Sequence, residues 1–232
     1  MADISKIIGV DIATIAKINN IAIGGIGSVN GSIIPTESFW DTFSGDDFTG
    51  TNGDPLDISV WVDQGASADW EIQGNKAYIN IGASKEAIST SLFRMSGDFD
   101  VQISFDSVSI GTVGLIRLLA FNEDASYGAF IGAEKVGTDL ISGSFRTASV
   151  FDGATSIGRS NNYGQLRIYR DGNVWYNQYK DGAGALTTLV SKDQSNSDNV
   201  AIKFLATTQA SSSISGNLDD FIINSGTVIP PV

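Results

Sequence analysis

Through most of the chain, apolar residues recur at every second position. In GDFDVQISFD, residues 97–106, Phe99, Val101, Ile103 and Phe105 point one way. Asp98, Asp100, Gln102, Ser104 and Asp106 point the other way. A period of two is that of a β-strand with one buried face. DWEIQGNKAYINI, residues 69–81, predicts a hairpin turning at Gly74-Asn75, with Trp70, Ile72, Ala77, Ile79 and Ile81 inward. GQLRIYRDGNVWYNQY, residues 164–179, predicts another turning at Asp171-Gly172. That turn pairs Arg170 with Asn173, Ile168 with Trp175 and Arg167 with Tyr176. Leu166, Ile168 and Trp175 then share the core face, while Arg167, Tyr169, Tyr176 and Gln178 share the opposite one. Further strands are expected near 113–121, 127–133, 145–151, 200–206 and 218–223. No segment sustains a helical period. The expected fold is all-β: an antiparallel β-sandwich of the jelly-roll kind, preceded by a short β-rich repeat segment.

The first 36 residues follow a different rule. ISKIIGVDIAT, IAKINNIAIGG and IGSVNGSIIPT are three successive undecapeptides. Ile4, Ile15 and Ile26 occupy one column, Ile7, Ile18 and Val29 a second, and Ile12, Ile23 and Ile34 a third. An eleven-residue period also fits a helical coiled coil. Stiff β-branched isoleucines and Gly9, Gly24, Gly25, Gly27 and Gly31 argue against a helix. Ile8-Gly9, Asn19-Asn20 and Asn30-Gly31 fall at the same point of each copy, so each reads as strand, turn, strand. A segment this short cannot bury its isoleucines alone. The nine column residues are therefore read as an assembly device, docking to another protein or closing a symmetric oligomer, with a trimer favoured. The competing reading is a plain hairpin lying on the main domain. Pro35 closes the repeats, and the first aromatics follow. The domains are read as 1–36 for anchoring or oligomerisation, 37–227 for the jelly roll and 228–232 for a C-terminal tail.

Charge narrows the partners. The chain of 232 residues carries a formal net charge of −12. Asp3 and Asp11 cancel Lys6 and Lys17 in the repeats, so the whole excess sits on residues 37–232. An acidic body repels nucleic acid and anionic membrane, and neither is an expected partner. There is no cysteine and no histidine. That excludes disulfides, thiol or imidazole catalysis, and Cys or His metal sites. The N-terminus lacks a basic n-region, and its apolar run is broken by Asp11, Lys17, Asn19 and Asn20. Neither a cleaved Sec leader nor a membrane span is expected.

Four pieces in order, DDFTGTNGDPLDISVWVDQG with WEIQGNKAYI, then GDFDVQISFD, GQLRIYRDGNVWYNQYKDG and VAIKFLATTQASSSISGNLDDFII, resemble the concanavalin A-like lectin/glucanase (laminin G-like) jelly rolls over roughly residues 40–224. The resemblance implies two packed antiparallel sheets. It leaves function open among glycan-binding lectins, glucanases and structural modules. Separately, ISKIIGVDIATIAKINNIAIGG resembles the ISKINGV-type repeats near the N-termini of structural proteins of tailed bacteriophages. That resemblance implies a virion protein of the decoration or fibre type, with other virion proteins as partners.

Candidate chemistry is sparse. Glucanases of this superfamily carry a run like E-x-D-x-x-E on one strand, and this chain has none. Glycoside hydrolysis needs two carboxylates facing each other across the bond, so the expectation is a protein that is not an enzyme. Asp46, Asp47, Asp54 and Asp57 near the first strand and Asp219 and Asp220 near the last offer carboxylates for calcium, although turn chemistry accounts for them equally. No cofactor is assigned. Arg167, Tyr169, Tyr176 and Gln178 are the candidate ligand-binding residues, because a sugar ring stacks on an aromatic face and its hydroxyls need donors and acceptors. The same face read blandly is a solvated sheet with ordinary cross-strand pairs. The leading expectation is a phage structural protein exposing a glycan-binding jelly roll; the rival is a free carbohydrate-binding module.

Overall fold

The computed structural model describes the backbone of residues 6–7, 10–11, 17–18, 21–22, 28–29 and 32–33, and then residues 39–64, 68–196 and 198–231. The chain divides into two compact units, Met1–Phe43 and Ser44–Val232.

In the first unit each repeat makes one antiparallel pair. β1 (Lys6–Ile7) pairs with β2 (Val10–Asp11), β3 (Lys17–Ile18) with β4 (Ile21–Ala22), and β5 (Ser28–Val29) with β6 (Ser32–Ile33). The same register recurs at an eleven-residue spacing, as the aligned columns require. The turn residues between the strands lie outside the described residues, as do the side chains of the assembly columns Ile4, Ile7, Ile12, Ile15, Ile18, Ile23, Ile26, Val29 and Ile34. A single helical turn, α1 (Phe39–Thr42), closes the unit. Phe39, Trp40 and Phe43 pack on one another there, with ring centroids 4.9–5.4 Å apart. Trp40 is half-buried in this trio.

The second unit holds β7 (Gly45–Asp46), β8 (Trp61–Asp63), β9 (Glu71–Ile72), β10 (Ala77–Ile81), β11 (Glu86–Ser91), β12 (Arg94–Ile110), β13 (Val113–Phe121), β14 (Gly128–Val136), β15 (Thr138–Thr147), β16 (Val150–Gly158), β17 (Gly164–Asp171), β18 (Val174–Asp181), β19 (Thr187–Asp193), β20 (Ala201–Thr208) and β21 (Ile214–Ile229). Sheet I runs β19-β18-β17-β12-β21-β10-β9, with β7 also paired to β21. Sheet II runs β16-β15-β14-β13-β20-β11-β8. Every pair is antiparallel, and the two sheets form a jelly-roll sandwich. The last strand carries two residues of the segment read as a tail.

The inward faces meet in an aromatic core. Trp61 is its hub: its ring lies 4.4 Å from Phe204 and 5.3 Å from Phe221, and also touches Phe48 and Phe93. Phe204 belongs to sheet II and Phe221 to sheet I, so one indole ties both layers. Its Nε1 donates to the Asp46 carboxylate at 2.7 Å. A second centre sets Phe99 edge-on to Trp175 at 5.4 Å. Arg170 is buried beside it, 3% exposed, with its guanidinium 5.3 Å from both rings. Its donors reach the carbonyls of Gly97 and Asp198, so the charge is solvated by backbone dipoles. Burial lowers its pKa, with Asp98 and Asp198 opposing.

Most expected strands are present, and the inward residues of 69–81 and 97–106 are buried as read. Gly74 and Asn75, both at φ +60°, make the expected turn. Two expectations change. The β17–β18 turn sits at Gly172-Asn173, so Arg170 pairs with Trp175, Tyr169 with Tyr176 and Arg167 with Gln178. Gly172, at φ +58°, takes the first turn position, where a type II′ hairpin wants glycine. The register thus slips by two, and an even slip leaves every side chain on its expected face. The expected strand at 145–151 is broken in its middle by the turn between β15 and β16, made by Ala148 and Ser149 at φ +48° and +68°. Neither residue type signals such a turn.

Trp175→Ala should cost about 3–5 kcal/mol, as for a buried aromatic truncated to alanine. Tyr176→Ala, on the outer face, should cost much less. Chemical denaturation of both variants measures this; the opposite ranking would reverse the faces of β18.

Candidate functional site

The structure brings the four expected ligand-binding residues together on the outer face of sheet I, and they satisfy one another. Arg167 Nε and Nη2 donate to the two Asp100 oxygens, and Nη1 donates to Gln178 Oε1 at 2.8 Å. Gln178 Nε2 in turn donates to Thr188 Oγ1. Tyr169 and Tyr176 stack flat, with centroids 4.3 Å apart and planes 4° apart. Each ring therefore covers a face of the other, and Arg167 sits 4.9 Å from the Tyr169 centroid. Burial and the neighbouring Tyr176 raise the Tyr169 pKa. The hydrogen bond to Asp100 raises that of Arg167. Asn224 extends the network to Asp100 and Gln102. The Arg167 donors and one face of each tyrosine ring are already engaged.

Four of the six acids considered for calcium have engaged carboxylates. Asp46 accepts from Trp61 Nε1 and Phe48 N, and burial pushes its pKa up. Asp47 accepts from Thr49 N, and Asp57 from the Ser59 amide and hydroxyl. The Asp54 carbonyl takes the Ile72 amide. Asp219 faces Lys76 at 3.5 Å and accepts the Asp220 amide. Among the described residues no group of three acids is placed to hold a metal ion.

A cavity of about 310 Å³ opens on the outer face of sheet II. Strand alternation builds it. In β13 the even positions Ile116, Leu118 and Ala120 enter the core, so Arg117 turns outward. In β14, Ile131 and Ala133 enter the core, so Phe130 and Glu134 turn outward. Ser142 and Ser144 of β15 flank them, and Gly132 stands between, opposite Arg117 and Ser142. A Cβ at Gly132 would come within 2.2 Å of the Ile116 carbonyl, so the floor there must stay bare.

Charge and aromatic contacts fix the side chains. Arg117 Nη2 donates to Glu134 Oε2 at 3.0 Å, and the Ser142 hydroxyl donates to the same oxygen. The Arg117 guanidinium lies 4.0 Å from the Phe130 centroid. Burial lowers the Arg117 pKa, with Glu134 pulling it back up. Phe151, on β16, meets Phe130 edge-on at 5.7 Å and is 60% exposed, leaving its outer face free for a ligand. A bulge sets that position. The β15–β16 register shifts between Gly143 and Phe145, Gly153 takes φ +65°, and the Ser144 hydroxyl donates to the Asp152 carbonyl at 2.9 Å. Arg146 pairs with Phe151 and lies 5.1 Å from its ring centroid. An aromatic platform ringed by charged and hydroxyl groups suits a polyol. Sequence reasoning missed these residues. The signal was the parity of YGAFIGAEK, where an outward Phe130 breaks an otherwise inward apolar set.

A larger cavity, about 570 Å³, lies at the edge formed by β8 and β9 and is lined by Asp63, Asp69, Glu71, Trp70, Tyr78 and Asn80. Burial raises the Asp63 pKa, and Asp69 adds to the shift.

No family model and no curated protein matches the chain. Solved structures do. An immunostimulatory antigen and pseudo β-1,3-glucanase of Mycobacterium tuberculosis matches with a TM-score of 0.58 at 11% identity, over 76% of this chain and 98% of that one. A legume lectin-like domain from Entamoeba histolytica matches with a TM-score of 0.53 at 13% identity, over 78% and 97%. A non-specific endo-β-1,3(4)-glucanase of family GH16 matches with a TM-score of 0.57 at 10% identity, over 77% and 88%. At such identities the likeness shows the fold alone. The chain has the jelly-roll fold of legume-type lectins and glucanases.

Arg167→Ala should lower stability by about 1–3 kcal/mol, because it strands the half-buried Asp100 carboxylate. Thermal melts would show the loss. A variant as stable as the parent would mean that the Arg167 network contributes little and its side chain is free to serve a ligand.

Proposed function

We propose that this protein is a non-catalytic structural protein of a phage virion whose jelly roll binds glycans through the outer face of sheet II. One observation carries the binding half: the exposed Phe151 ring packs on the buried Phe130 at the side of a groove whose polar set, Arg117, Glu134 and Ser142, is fixed. Of the residues lining that groove only Glu134 is a carboxylate, and it is tied to Arg117 and Ser142. Retaining and inverting hydrolysis both need a second carboxylate across the scissile bond. Binding without turnover is the chemistry these side chains support.

The virion half rests on the repeats. Three hairpins recur at one spacing and carry columns of isoleucine that a segment of this size cannot bury alone. Other copies of the chain, in a trimer, or other virion proteins would cover them. In the rival reading, a free lectin-like module, the repeats bind nothing and the groove alone acts.

A glycan array probed with the whole protein tests the binding half. The parent should mark a restricted set of glycans, and Phe151→Ala should weaken those signals about fivefold or more, as expected for a lost stacking face. Hydrolysis of a β-1,3-glucan by the purified protein would overturn the non-catalytic reading. Binding unchanged in Phe151→Ala would move the site elsewhere.

Replacing Ile15, Ile18 and Ile23 together by serine tests the virion half. The jelly roll should stay folded, while sedimentation should show loss of the oligomer and particles should no longer incorporate the protein. A triple variant that assembles and attaches like the parent would leave the free-module reading standing.

A further inference from the structure

The outer face of sheet II carries cations that no acid matches. On sheet I, Arg167 is neutralised by Asp100, and Lys76 by Asp106 and Asp219. On sheet II, Arg117 is matched by Glu134, but Arg146 and Lys203 form no ion pair with any described residue. The register places both within two strands of Phe130. Phe130 pairs with Ser144, two residues before Arg146, and Leu119 joins Phe130 on one side to Lys203 on the other. Adjacent strands lie about 5 Å apart and diagonal neighbours about 7–8 Å, so the three cations ring Phe130 within roughly 10 Å.

Neither unpaired cation is freely solvated. The Arg146 Nε is buried without a hydrogen-bond partner. Burial lowers the Lys203 pKa, and the nearby Arg94 lowers it further. A half-buried cation kept beside another cation is a standing electrostatic cost. In a chain with 26 acids and 14 basic residues, acids to neutralise them were available. Glu86, the other carboxylate on this face, pairs with Thr207, four residues along β20 from Lys203.

We propose that the outer face of sheet II around the groove takes acidic glycans, chains bearing uronate carboxylates or sulfate esters, whose anions meet Arg146 and, further along the chain, Lys203 while a sugar ring rests on Phe151. This rests on the glycan-binding reading and adds the class of sugar. The anion supplies the partner that both cations lack, and charge-assisted hydrogen bonds to it are roughly twice as strong as neutral ones. The rest of the acidic surface repels polyanions, so retention of one reports this face.

The test is calorimetric titration of the whole protein with polygalacturonate, dextran sulfate and neutral dextran, with galacturonic acid and inorganic sulfate as free-anion controls. The parent should bind at least one polyanion, more weakly as salt rises, and bind neutral dextran and the free anions far less. The double variant Arg146→Gln, Lys203→Gln should lose about tenfold or more, which is about 1.4 kcal/mol or more. The salt titration of the parent stands even where that variant fails to fold. Neutral dextran binding as tightly as the polyanions, or polyanion binding unmoved by both salt and the double variant, would overturn the acidic class while leaving glycan binding intact. Free sulfate competing as well as dextran sulfate would reduce the site to an anion hole. No binding to any polymer here, together with a blank glycan array, would overturn both readings.

Discussion

Parity along each strand governs this molecule. Successive side chains leave a strand on opposite faces, so once one residue is committed to the core its neighbours are committed to solvent. Committing Ile116, Leu118 and Ala120 to the interior turns Arg117 outward; committing Ile131 and Ala133 turns Phe130 and Glu134 outward beside it. Core and groove are two readings of one alternation. A single-residue slip of β14 would move Phe130 into the core and strand Ile131 in water.

The same rule explains what the sequence made legible. The fold class, the inward residues of 69–81 and 97–106, and the Gly74-Asn75 turn follow from alternation and turn chemistry. The three repeat hairpins follow from the column alignment. The β17–β18 pairing did not follow, because Asp171-Gly172 and Gly172-Asn173 are both plausible turns and only the backbone decides between them. The outer-face assignment survived because the slip was even. The turn at Ala148-Ser149 was hidden. Left-handed φ costs an L-residue about 1–2 kcal/mol, so alanine is a poor marker for it, and the strain is carried by pairing on both sides.

The candidate site was harder to read, for a physical reason. An Arg-Tyr-Tyr-Gln face looks like a sugar platform in sequence, where only residue types are visible. In the structure, Asp100 lies diagonally across from Arg167 in sequence-distant β12 and takes up its donors, and each tyrosine spends one ring face on the other. A binding residue is defined by what it leaves unsatisfied, and non-local pairing settles that. The groove on sheet II has the opposite history. Phe130, Ser144 and Phe151 come from three strands, and the bulged β16 sets Phe151 against Phe130.

That bulge also bears on the exposed edge of sheet II. β16 is the outer strand of sheet II and all nine of its residues are exposed, including Val150, Phe151 and Ile157. A flat edge of this kind invites another strand. The register shift twists the edge, and Asp152, paired to Lys192 of β19, puts a charge on it. The opposite edge strands, β8 and β9, are only 3 and 2 residues long, too short to template a partner. The bulged edge, with its displaced aromatic, is left to shape the groove.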